Sequence, residues 1–453
     1  VIAFIASVIA SIGALGAAIW VLRKVRTVVD VACGYKSKVL CTAVFASGRS
    51  LDPQHADEIA ADSYWLLRPF GAKVDRAAAS VTTSLAGLWP RTAVYSEGFG
   101  ATLTDGSAKP DGIGLFSVAD NPRAIGVHVR TASALRPEVQ AVVDRAFQEP
   151  DPSRLRRTHA VVVVHDGDIV AERYARGVGP ETPLPGWSMA KSVLNALVGI
   201  LIEEGQQSLE SKELLPLWRP PDARADISLE DLLRMRSGLR FSEVYSNPWS
   251  DVLRMLFNTP DAAGYAASRP LSAPPGSVWG YASGTTNILS AIVRRTVGES
   301  SYPGWPRRAL FDRIGMSSAV VEPDASGTFI FSSFMLATAR DWARYGQLWA
   351  DGGQCGQRAI LSKEWIRFST TPTVQSADGR FGAHWWLKLN PEVGGTDPAA
   401  AEIAPDAFFA IGHEGQTLTV IPSRRLVIVR LGAAIYIDAW NQAEFVAAIQ
   451  EVV

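Results

Sequence analysis

The chain has 453 residues, 47% of them hydrophobic, and a formal net charge of −1 at pH 7. That length predicts two or three structural units, and the composition is that of an ordinary folded protein with no basic excess or acidic tail to suggest a nucleic-acid partner. The six histidines are scattered, with no His-x-x-x-His or Cys-x-x-Cys spacing, so the sequence offers no metal site and calls for no cofactor.

Residues 1–22 run without a charge, rich in Ile, Ala, Val and Gly, and then meet Arg23, Lys24 and Arg26. About twenty apolar residues span a bilayer, so a single N-terminal transmembrane anchor is expected. A buried core helix or a cleaved signal peptide is the alternative. The basic cluster after the span would place the following domain in the cytoplasm. Cys33 and Cys41 are close enough in sequence to pair, leaving Cys355 over, and the redox compartment stays open. Residues 23–135 read as an accessory segment: 38–45 as a strand, 57–62 as a short acidic stretch, 81–88 and 101–103 as apolar pieces.

A domain over 136–453 follows. Residues 136–148 look helical. Ala160–Val164, the turn Asp166-Gly167 and residues 169–174 read as a β-hairpin. Pro183, Pro185 and Gly186 then lead to Trp187-Ser188-Met189-Ala190-Lys191-Ser192 and an apolar run to Ile202, a helix buried on every side. Ser188 and Lys191, three apart, share its face. Helical segments are expected at 229–235, 250–257, 284–296 and 339–350, strands at 384–389, 408–411, 418–421 and 426–431, and an amphipathic helix at 439–452. Strands at both ends with helices between predict an α+β fold: one sheet built from the two ends, and an inserted helical subdomain.

The Ser188/Lys191 pair has a chemical use. A serine hydroxyl is a poor nucleophile until an adjacent base takes its proton. Burial disfavours the lysine ammonium, so a neutral Lys191 can be that base. The free N–H groups of a helix start favour developing negative charge. Two further stretches carry polar groups that could meet them: Gly280-Tyr281-Ala282-Ser283-Gly284 opening a helix, and Gly412-His413-Glu414-Gly415-Gln416 entering a strand. No Gly-x-Ser-x-Gly elbow occurs, which excludes an α/β-hydrolase.

Ser-x-x-Lys on a buried helix, Tyr-x-Ser about ninety residues on and His-x-Gly before a C-terminal strand together resemble the serine β-lactamase and penicillin-binding superfamily. The resemblance is to its class C branch, with its esterases and 6-aminohexanoate-dimer hydrolases, and covers roughly 136–453. It implies a β-lactamase/transpeptidase-like antiparallel sheet flanked by helices, with an all-helical insertion. It also implies that Ser188 forms an acyl-enzyme, Lys191 accepts its proton and Tyr281 serves the leaving group. The backbone N–H groups of Ser188 and Gln416 would form the oxyanion hole, and the substrate would be a small-molecule amide or ester. A β-lactamase or D,D-peptidase acting on cell-wall peptides, and a non-catalytic ligand-binding relative, are the other readings. The family reading also puts the catalytic domain on the extracytoplasmic side of the membrane.

Two departures carry information. His413-Glu414-Gly415 stands where the β-lactamases have Lys-Thr-Gly, so a fixed cation for a substrate carboxylate is missing. Ser283 stands where many members have Asn. Tyr245 matches a loop tyrosine that reaches the substrate amide in 6-aminohexanoate-dimer hydrolases. Trp187, and Trp385 or Trp386, are candidates to line the cleft, with core packing as the alternative.

Overall fold

The computed structural model describes residues 2–50, 64–104, 129–131, 135–391 and 394–453. The acidic stretch 57–62 lies outside the described residues. The chain begins in one helix, α1 (Ile2–Cys41), closed by a π turn over Thr42–Ala46. The strand expected at 38–45 is therefore helical. The reason is burial on two sides: Leu40, Cys41 and Ala43 pack on one layer, Val31 and Tyr35 on another, and the helical period disappears from the sequence. Cys33 and Cys41 are both free. Eight residues of helix separate them by about 12 Å, beyond the reach of a disulfide.

The membrane anchor expected over 1–22 is not supported. Among the described residues no helix is long and apolar enough to cross a membrane. Val1 and the side chains of residues 2–12 lie outside the described ones; the rest of the run is continuous with a helix whose second half, from Val29 onward, is protein core.

That second half of α1 lies across an antiparallel meander, β1 (Phe70–Asp75), β2 (Ser80–Leu85), β3 (Leu88–Ser96) and β4 (Gly100–Thr104). Helix and meander together form an N-terminal module. Its other side is clamped to the rest of the protein by a buried ion pair between Lys38 and Glu322, 3% and 2% exposed. Thr42 Oγ1 and the Ala101 N–H donate to the same carboxylate at 2.9 and 2.6 Å. Gly34 is required at the contact, since a Cβ there would lie 2.4 Å from the Phe257 carbonyl oxygen.

The main sheet is built from both ends of the remaining chain. The N-terminal contribution is β5 (Arg130–Thr131), α2 (Pro137–Arg145), β6 (Thr158–His165) and β7 (Asp168–Tyr174). The Asp166-Gly167 turn joining β6 to β7 has φ of 53° and 81°, the paired left-handed conformation that matches strand twist. Helices α3 (Ala190–Glu203), α4 (Leu229–Leu233), α5 (Asp251–Phe257), α6 (Ala262–Ala267), α7 (Ser283–Val297), α8 (Ala339–Ala350) and α9 (Lys363–Thr370) come next. Strands β8 (Phe408–Gly412), β9 (Gln416–Ile421) and β10 (Leu426–Gly432), then α10 (Gln442–Val452), complete the domain. The order across the sheet is β8-β9-β10-β6-β7-β5, antiparallel except for β5 beside β7.

Central strand β6 explains the layering. Its valines are β-branched and buried on both faces. Val162 and Val164 join the core that holds α3 and α8, whereas Val161 and Val163 join the core under α2 and α10. The result is an α+β fold of the β-lactamase/transpeptidase type. Two expectations need correction. The insertion is not all-helical, because it carries a small sheet of Leu184–Pro185, Val320–Val321 and Met335–Ala337 and a short ladder of Gln354–Cys355 with Arg358–Ala359. Residues 384–389 form no strand; Trp386 makes single bridges to Phe381 and Phe409, and its neighbour Trp385 is core.

Candidate active site

Ser188 sits in a single 3₁₀ turn (Trp187–Met189) that feeds α3. The residue before it, Trp187, is held at φ 49°, a conformation that costs a non-glycine residue about 1–3 kcal/mol and needs tight surroundings. Those surroundings are present: Trp187 is 5% exposed and packs on Tyr35, Phe334 and His413. Lys191, in the first turn of α3, is 2% exposed. Its Nζ donates to Ser188 Oγ at 2.8 Å, to the Ser332 carbonyl at 2.7 Å and to Ser283 Oγ at 3.1 Å. Burial brings the Lys191 pKa down to about 8, with the Glu243 carboxylate opposing the fall.

Glu243 was missed in the sequence, although it lies two residues before Tyr245. Its carboxylate accepts from the Ser283 N–H at 2.8 Å and from Ser283 Oγ at 2.5 Å. Ser283, at the start of α7, thus bridges a buried cation and a half-buried acid. Burial pushes the Glu243 carboxyl up, against the pull of Lys191. Tyr281, just ahead of α7, lies with its ring 5.0 Å from Lys191 Nζ and stacks on Trp386 at 5.4 Å. Burial, then Glu243, raises its hydroxyl pKa well above the tyrosine value, while hydrogen bonding with Ser188 works the other way; it stays protonated at neutral pH. His384, also unforeseen, is 3% exposed at φ 57° with Nε2 2.9 Å from Thr286 Oγ1. Burial and the nearby Lys191 lower its pKa to about 3, so it adds no second cation.

His413 and Tyr245 meet at the cleft, ring centroids 4.5 Å apart and nearly parallel. Burial lowers the His413 pKa to about 4, so its ring is neutral. The Tyr245 hydroxyl is buried beside Ser283 and Ser333 without a hydrogen-bond partner of good geometry. Gly415 and Gln416, expected as substrate-binding residues, are tied into the frame of the turn. Arg430 Nη1 donates to the Gly415 carbonyl at 2.8 Å, and the Gln416 side chain closes a pair of hydrogen bonds with the Gly432 main chain at 2.6 and 2.9 Å. Gln416 is also paired with Gly412 in the sheet. The parity of the ladder decides where its N–H goes. Phe409 exchanges both main-chain bonds with Trp386, on the outer side of β8. Main-chain groups alternate sides along an antiparallel strand. Gly412 and Gln416 therefore face each other within the sheet, and the same alternation puts the N–H groups of Ile411 and His413 on the outer edge. That edge abuts the serine turn: a Cβ on Gly412 would lie 2.3 Å from the Gly186 carbonyl oxygen.

Residues 143–434 match the beta-lactamase family model. The chain belongs to the beta-lactamase family. It is a serine hydrolase of that family, related to proteins of several named activities. It is 25% identical over 300 residues to a 6-aminohexanoate-dimer hydrolase of Paenarthrobacter ureafaciens, a match covering 61% of this chain and 72% of that one. A solved structure titled as a putative 6-aminohexanoate-dimer hydrolase from Bacillus anthracis superposes with a TM-score of 0.55 at 24% identity, over 76% of this chain and 87% of that one. A hydrolase with promiscuous acyltransferase activity, EstCE1, gives 0.53 at 15% identity, over 70% and 96%. Likenesses at such identities concern the fold of this beta-lactamase-family chain.

Proposed function

We propose that this beta-lactamase-family hydrolase cleaves small amides or esters that need no carboxylate contact at His413, through an acyl-enzyme on Ser188. The observation that carries the proposal is Lys191 Nζ, buried, depressed to a pKa of about 8 and 2.8 Å from Ser188 Oγ. In this reading Ser188 Oγ attacks the carbonyl carbon while its proton passes to Lys191. The carbonyl oxygen becomes an oxyanion, held by the N–H of Ser188 and an outward N–H of the β8 edge beside Gly412, at Ile411 or His413; each such donor supplies about 3 kcal/mol in comparable sites. Protonated Tyr281 hands a proton to the departing alcohol or amine and is refilled from Lys191. Water then enters by the reverse route and releases the acid. The unpartnered buried hydroxyl of Tyr245 supports a role for it in meeting a polar atom of the substrate.

The substrate class follows from charge. Neutral His413 offers no cation for a carboxylate. A β-lactam or peptide carboxylate would forgo a charge-assisted contact of about 1.5–3 kcal/mol, roughly ten- to hundredfold in binding. The named activity of the 6-aminohexanoate-dimer hydrolase relative supports a small amide. The test is intact-mass labelling by a fluorophosphonate in wild type and Ser188→Ala, with turnover of p-nitrophenyl acetate, short amides and nitrocefin alongside. Labelling and ester turnover are expected in wild type only, with kcat/KM for the ester above that for nitrocefin. A labelled Ser188→Ala protein would remove Ser188 from the mechanism, and a preference for nitrocefin would overturn the substrate class.

A further inference from the structure

Tyr35 and Tyr64 lie outside the stretch 143–434 that matches the family, yet both reach the wall of the cleft. Tyr35 comes from the buried half of α1. Its hydroxyl donates to Glu414 Oε1 at 3.2 Å, and its ring lies nearly parallel to Trp187 at 6.5 Å. Tyr64, just ahead of β1, donates to the same oxygen at 3.3 Å and meets His413 Nε2 at 3.2 Å. The two tyrosine rings touch edge to face at 5.8 Å. Glu414 is 5% exposed and sits at φ 61°, a strained setting for its residue type that these contacts hold in place. His413 in turn lies flat on Tyr245 and edge-on to Trp187, the neighbour of Ser188. One continuous wall therefore runs from the nucleophile's turn, through His413, to the N-terminal module.

Resting on the hydrolase reading above, we infer that the N-terminal module closes one end of the cleft and that Tyr64 is the residue setting how long a substrate group that end accepts. Tyr35 is the buried pillar behind it, and Lys38 with Glu322 fixes the module against the catalytic domain. Tyr64 is the outer, half-buried member of the wall. Its chain neighbours Trp65 and Leu66 are 72% and 62% exposed, and Val244, beside Tyr245, is 49% exposed. Beyond the Tyr64 ring the wall thus gives onto apolar surface. Removing the ring joins the cleft to that surface, and a longer apolar chain gains contact there, worth about fourfold in kcat/KM for each methylene newly buried.

The experiment measures kcat/KM for p-nitrophenyl esters from acetate to octanoate and for acetate esters of longer alcohols. The proteins are wild type, Tyr64→Ala, Tyr64→Phe and Tyr64→Trp. Tyr64→Ala is expected to raise the long-to-short ratio at least tenfold in one of the two series. Tyr64→Phe keeps the bulk and loses only the hydroxyl, and should leave the long-to-short ratio within about twofold of the wild-type ratio. Tyr64→Trp should lower the ratio. A flat ratio in Ala and Trp variants that still turn over acetate overturns the inference. So does a Phe variant that shifts as far as Ala, because hydrogen bonding to Glu414 and His413 would then be the determinant. An inactive, unlabelled wild type would instead defeat the hydrolase reading, so the two failures are separable.

Discussion

Glu243→Gln isolates the electrostatics of the base proposed at Lys191. The proposed mechanism needs neutral Lys191, so activity should be lost as pH falls through its pKa of about 8. At pH 7 about one Lys191 in ten is neutral, and wild-type kcat/KM should climb about tenfold between pH 7 and its plateau. Glu243 favours the ammonium and therefore holds that limb high. Ser283 Oγ joins the two groups by contacts of 3.1 and 2.5 Å, putting carboxylate and ammonium on the order of 5 Å apart. At an effective dielectric of about 20 this separation is worth roughly 3 kcal/mol, or about two pKa units as an upper figure. The glutamine variant should move the acid limb down by one to two pH units. The assay is the pH profile of kcat/KM for p-nitrophenyl acetate, corrected for spontaneous hydrolysis. The limb's position is the readout, because its height also responds to Ser283 losing a charged acceptor. A limb that stays put or moves to higher pH would refute the coupling of Glu243 to Lys191.

Gly412→Ala should fold and lose activity by more than a hundredfold, since its Cβ would drive the β8 edge and the Gly186 carbonyl apart from a 2.3 Å approach; near-normal kcat would show that this edge takes no part in the reaction. Glu322→Gln leaves Lys38 as an unpaired buried cation and should cost about 3–5 kcal/mol in denaturant unfolding, most of it recovered when Lys38→Met is added; a loss under about 1 kcal/mol would mean the pair is not a clamp.

What was legible in the sequence was local. Ser188 and Lys191 share a helical face by spacing alone, and burial of α3 on every side is written in a run that is apolar almost throughout. The valine hairpin announces itself through its Asp-Gly turn and β-branched residues. What was illegible depended on contacts between distant segments. Glu243 meets Ser283 across 40 positions, and no spacing marks it. Residues 38–45 are apolar on two sides because two layers cover them, so their helix carries no period. The strand expected at 384–389 reflects core tryptophans that pack without joining a ladder. The main-chain donors were illegible for a subtler reason. The motif directs attention to Gln416, but main-chain groups obey strand parity, which pairs Gln416 with Gly412 and turns the N–H groups of Ile411 and His413 to the outer edge.

The 413–416 turn is held from two directions. Arg430, buried completely, donates to the carbonyls of Glu414 at 3.2 Å and Gly415 at 2.8 Å from below, and Tyr35 and Tyr64 hold the Glu414 carboxyl from the side. Burial lifts that carboxyl to a pKa of about 7, while the tyrosine bonds pull it back. Three non-glycine residues around the nucleophile, Trp187, His384 and Glu414, have left-handed backbones with φ of 49°, 57° and 61°. At about 1–3 kcal/mol each, such strain persists only where neighbours over-determine it. Two of the three, Trp187 and Glu414, are held in part by Tyr35 of α1. The N-terminal module therefore carries mechanical load for the catalytic turn as well as bounding its cleft. Tyr35 and Tyr64 should accordingly separate in their effects: truncating Tyr35 lowers kcat for every ester, whereas truncating Tyr64 changes which ester is preferred.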